Sequence, residues 1–70
     1  MKLSNFYNVV SGNRRFCITN RSIVEGAKLM TAMEFWHEYR NSRVWSMEVE
    51  EVHASVDRDR VIFAVTLKEE

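Results

Sequence analysis

The side chains with the widest chemical reach in this chain are Cys17, His37, His53 and the carboxylates near them. His37-Glu38 resembles the opening of a zinc-protease helix. That motif needs a second histidine four residues on, so that two ligands share one helical face. Position 41 is asparagine, and the motif fails. Cys17, His37 and His53 match no zinc spacing, and three ligands would leave a structural site incomplete. Cys17 beside a histidine would make a nucleophile pair. Nothing next to it marks an oxyanion hole or a base-orienting acid, and a lone cysteine in an apolar strand usually serves as a small buried hydrophobe. Asp57 and Asp59 in "DRDR" read as solvated turn charges. Gly12 and Gly26 are the only glycines, so there is no phosphate-cradling loop. The expectation is a protein that is not an enzyme, with no catalytic residue, no metal and no cofactor.

The stretch "FWHEYRNSRVW", residues 35–45, has a different character. It holds one tyrosine, two tryptophans and two arginines. These residue types dominate the energy of protein interfaces. Helical phase assigns Trp36 to the packing of the fold and sets Phe35 on the polar side. The expected partner-binding residues are Phe35, Tyr39, Arg40, Arg43 and Trp45, with Ile62 on the sheet. The alternative is a small nucleic-acid-binding module, in which Arg14, Arg15, Arg21, Arg40 and Arg43 grip phosphates while Phe16, Tyr39 and Trp45 stack bases. A net charge of zero weighs against it.

The elements that would position these groups follow from pattern. Residues 3–10, LSNFYNVV, are rich in aromatic and β-branched types and read as a strand. Gly12 suits a turn, and residues 15–20 read as a second strand closing a hairpin. Ser22 and Glu25 form a capping-box motif, which opens a helix from about Ile23 to Arg40. Residues 44–56 read as a long strand. Their apolar phase flips at Glu50-Glu51, where a β-bulge would restore one buried face. "DRDR" is a turn, and VIFAVTL, residues 61–67, is apolar in both phases, as a central or doubly covered strand is.

The result is one domain, residues 1–70, of the α+β class: a four-stranded antiparallel sheet (ββαββ) with one helix packed across one face. Strand order 2-1-3-4 keeps every neighbour antiparallel, and 2-1-4-3 places the last strand inside. The reverse face would then show Ile62 and Ala64, with Phe6 and Val10 or their alternates, a patch that calls for a partner.

Seventy residues, 46% of them hydrophobic and 29% charged, suit a small folded domain. One cysteine excludes an internal disulfide and fits a reducing compartment. No apolar run approaches the ~20 residues of a membrane span, and the expected location is cytoplasmic.

The order of a hairpin, then "SIVEGAKLMTAMEFW", then an extended pair resembles small phage-encoded proteins that bind host machinery. Inhibitors of host RNA polymerase and some anti-CRISPR proteins are of this host-takeover or anti-defence type. The matching motif is the helix start Ser22, Glu25, Gly26 and Ala27. Many such proteins are acidic nucleic-acid mimics, whereas this chain is neutral. The resemblance implies a viral protein in host cytoplasm that binds a larger protein stoichiometrically. The expected function is therefore that of a non-enzymatic protein-binding module, which binds and inhibits a host protein or assembles with itself, for example as a homodimer.

Overall fold

The computed structural model describes residues 1–10, 14–23 and 28–69. The chain begins with a helix, α1 (Leu3–Val9). Strand β1 (Arg14–Ile18) follows, then the two-residue strand β2 (Met30–Thr31). Helix α2 spans Ala32–Tyr39, and a 3₁₀ turn covers Arg43–Ser46. The chain ends in a hairpin of β3 (Val49–Asp57) and β4 (Arg60–Leu67). The four strands lie in the order β2-β1-β4-β3. The α+β class and the four-stranded sheet with a helix across it hold.

The sheet is mixed rather than wholly antiparallel. β1 and β4 run parallel, while β1–β2 and β3–β4 are antiparallel. Parallel neighbours need a long crossover. Here the chain leaves β1, passes through α2 and β3, and re-enters beside β1 in the same direction.

Residues 3–10 are a helix, so the first hairpin does not form. Leu3, Phe6, Tyr7 and Val10 fall at i, i+3, i+4 and i+7, one helical stripe. Leu3 is fully buried, and the other three pack against the core. Periodicity outweighed the β-propensity of the aromatic and branched types.

The second helix begins nine residues later than Ile23. Its cap is a second copy of the same motif, Thr31 with Glu34. The Glu34 amide donates to the Thr31 hydroxyl, and the Thr31 amide donates to the Glu34 carboxylate. The expected cap residue Ser22 lies in a turn, and its hydroxyl hydrogen-bonds the Glu69 carboxylate. Glu25, Gly26 and Ala27 lie outside the described residues, as does Gly12.

The second hairpin is as expected, with a later start. Residues 43–46 are 3₁₀ rather than strand. The pairing register shifts between Val49 and Glu51, so a bulge does sit at the phase flip. Val49 opposes Leu67, and beyond the bulge Val52 opposes Val65 and Ala54 opposes Phe63. These directly opposed pairs share one face. β4 is interior, between β1 and β3.

Both helices cover the same face. Phe16, Ile18, Val65 and Leu67 point into the core from the sheet, and Leu3, Phe35, Tyr39 and Val44 meet them. An aromatic cluster forms its centre. Phe16 stacks on Phe35 at 4.9 Å and on Phe63 at 5.7 Å, while Phe6 meets Phe63 edge-on at 5.4 Å. Tyr7 lies 5.2 Å from Trp45, and Tyr39 lies 4.9 Å from Phe35. Such pairs add about 0.5–1.5 kcal/mol each beyond area burial. The Tyr7 hydroxyl donates to the Ala32 carbonyl at 2.9 Å and ties the two helices together.

The reverse face is open, but it is not the apolar patch that was expected. Phe6 and Val10 belong to α1 and pack on the covered side. Alternation along the strands leaves Arg15, Cys17 and Thr19 of β1 on the open side with Ile62, Ala64 and Thr66 of β4. Glu51, His53 and Ser55 of β3 complete it. Ile62 stands between Arg15 and Ser55. The face is largely polar.

Candidate functional site

Of the eight aromatic residues, seven join the cluster just described, and Trp36 stands apart. Its ring contacts are with His37 at 5.2 Å and with the Arg40 guanidinium, 4.5 Å above its centroid. The cause is helical phase. Once α2 starts at Ala32, the inward stripe is Ala32, Phe35 and Tyr39. Met33, Trp36, His37 and Arg40 then fall at i, i+3, i+4 and i+7 on the outward side. Met33 is 63% exposed, and His37 and Arg40 are exposed.

The six expected contact residues are thereby dispersed. Phe35, expected on the surface, is fully buried at the heart of the cluster. A helix running from Ile23 sets Phe35 on the polar side, but Ile23 lies in a turn and Met30 in β2. Tyr39 is also buried. Burial, reinforced by the charge of Glu38, pushes its phenol pKa up. Trp45 is half-buried at the edge of the cluster, 6.3 Å from Phe35. Ile62 lies on the open sheet face, away from α2. Arg40 and Arg43 are exposed. Arg43 lines an open depression of about 650 Å³ with Ser46, Glu48 and Lys68. Trp36, assigned from sequence to the fold, is the residue that reasoning missed. The second capping motif, Thr31–Glu34, was the signal that could have found it.

Beside the Trp36–Arg40 pair runs a groove of about 310 Å³. Met30, Met33, Lys28, Glu34, His37 and Glu38 line it. The Thr31 backbone and hydroxyl hydrogen bonds hold the Glu34 carboxyl below its usual pKa, so it keeps its negative charge. Two carboxylates there would repel phosphate.

The other candidates lose ground. Cys17 lies on the open sheet face with its thiol pKa pushed up by burial, the reverse of an activated nucleophile. His53 pairs with Glu51 at 2.9 Å on the same face. Ala64 lies between Cys17 and His53 in the row across the sheet. Among the described residues, no three histidine, cysteine or acidic side chains gather to hold a metal. Arg14 and Arg15 are neighbours on β1, and alternation sends them to opposite faces. Arg14 and Arg15 therefore do not share one surface. No described helix is long and apolar enough to cross a membrane. No protein-family model, curated protein or solved structure matches this chain.

Proposed function

We propose that this chain is a small non-enzymatic protein-binding module that docks on a larger protein through the outward face of α2. Trp36 under Arg40 is the anchor, and the Met30–Met33 groove receives a side chain of the partner. One observation carries the reading: every aromatic residue packs in the core cluster except Trp36, which is half-buried beneath an exposed arginine. Tryptophan and arginine are the commonest hot-spot residues, and methionine adapts its shape to a partner. Occlusion of a host protein, as the phage-protein resemblance implies, is the corresponding biological role.

Affinity capture on nuclease-treated lysate tests it. The wild-type chain should retain a partner that Trp36→Ala and Arg40→Glu lose, with far-UV circular dichroism unchanged in both. Retention unaffected by either substitution, or retention abolished by nuclease, would refute the reading. The second outcome would favour nucleic acid instead.

A further inference from the structure

The groove beside Trp36 has a charge pattern that selects among occupants. Helical phase, at ~100° per residue, sorts the outward residues of α2 into parallel rows. Met33 and His37 form the middle row. Trp36 and Arg40 lie on one side of it, and Glu34 and Glu38 lie on the other. Residues four apart in a helix are neighbours one turn above each other, and like charges so placed repel. Met33, Glu34, His37 and Glu38 are exposed, and all four line the groove with Met30.

The two carboxylates are free to take a cation. Among the described residues the ion pairs are Met1 with Glu48 and His53 with Glu51, so neither Glu34 nor Glu38 is engaged. Lys28 also lines the groove and its charge acts on Glu34, but it makes no ion pair there. Glu34 accepts the Thr31 amide through Oε1 at 3.0 Å, which leaves Oε2 for a further donor.

We propose that this groove receives a basic side chain, lysine or arginine, of the protein that docks on α2, an inference that rests on the reading of that face as a docking surface. The aliphatic stem lies along Met30 and Met33, and the cationic head sits between Glu34 and Glu38. Basic side chains cover apolar surface with their methylenes while the head stays at the polar edge. The head also relieves the repulsion between the two glutamates. An acidic or phosphorylated side chain meets that same charge and is rejected.

Titration of the isotope-labelled chain with n-butylammonium and n-propylguanidinium, followed by amide chemical shifts, tests the groove without the partner. These probes carry the stem and head of lysine and arginine. Each should shift the amides from Met33 to Glu38, and butyrate should shift them severalfold less at equal concentration. Glu34→Gln removes the charge and keeps the cap, because glutamine also serves at that position. Glu34→Gln and Glu38→Gln should each weaken binding of both cations severalfold, and the double variant should abolish it. Shifts as large at Glu50 and Glu51, shifts indifferent to both substitutions, or an equal response to butyrate would overturn the proposal. The lysate capture above separates the two claims. A partner lost by the double variant as well as by Trp36→Ala supports the basic occupant. A partner lost on Trp36→Ala but fully retained by the double variant overturns it and leaves the docking face standing. Capture indifferent to Trp36→Ala ends the docking reading, and with it the partner's side chain as occupant.

Discussion

Phe35 and Trp36 are adjacent in the chain, and the helix turns one into the aromatic cluster and the other out beneath Arg40. Their substitutions should therefore differ sharply. Phe35→Ala removes a fully buried ring and should cost about 3–5 kcal/mol, enough to unfold much of so small a domain. Trp36 is half-buried outside the cluster, and Trp36→Ala should cost less, about 1–2 kcal/mol. Urea titration followed by circular dichroism compares the two. Asn20 is a second residue whose work is local. Its buried side-chain amide donates to the Leu67 carbonyl at 2.8 Å and accepts from the Leu67 amide at 2.7 Å. It thus continues the ladder to β4 past the end of β1. Asn20→Ala leaves both Leu67 groups unpaired and should cost about 2 kcal/mol in the same titration.

At the scale of elements, the outcome depended on which of two similar signals the fold used. The chain carries Ser22-x-x-Glu25 and Thr31-x-x-Glu34, and the second caps the helix. A local motif states that a helix can start, and tertiary packing decides where. Starting at Ala32 brings Phe35 onto Phe16 and Tyr39 onto Phe35. The hairpin was more legible. The flip of apolar phase at Glu50-Glu51 is a direct consequence of the bulge, and the double apolarity of residues 61–67 reflects an interior strand. Residues 3–10 show the opposite case, since their composition favours a strand and their spacing a helix. The cap also makes the fold acid-sensitive. Unfolded glutamate titrates near ~4.3, and the Thr31 hydrogen bonds hold folded Glu34 lower. The contribution of the charged cap is full above the unfolded value and is lost as the pH falls through the folded one. Melting temperature should drop over that acid window in the wild type, and the drop should be shallower in Glu34→Gln.

For the whole molecule, both helices lie on one side of the sheet, and the other side is open and mostly polar. The α+β class and the four strands were readable from pattern. The parallel pairing of β1 with β4 was not, because it follows from the long return path of the chain. The proposed contact residues were legible as types and not as positions. Tryptophan and arginine stood out in residues 35–45, but which ring faced outward depended on the start of a helix. The most direct test of the account is oxidative footprinting of the chain alone and bound to its captured protein. Met33 and Trp36 should label more slowly in the complex than in the free chain, while Trp45, half-buried like Trp36 but packed against the core, labels alike in both. Equal labelling of Trp36 in the two states would contradict the assignment of the α2 face as the docking surface.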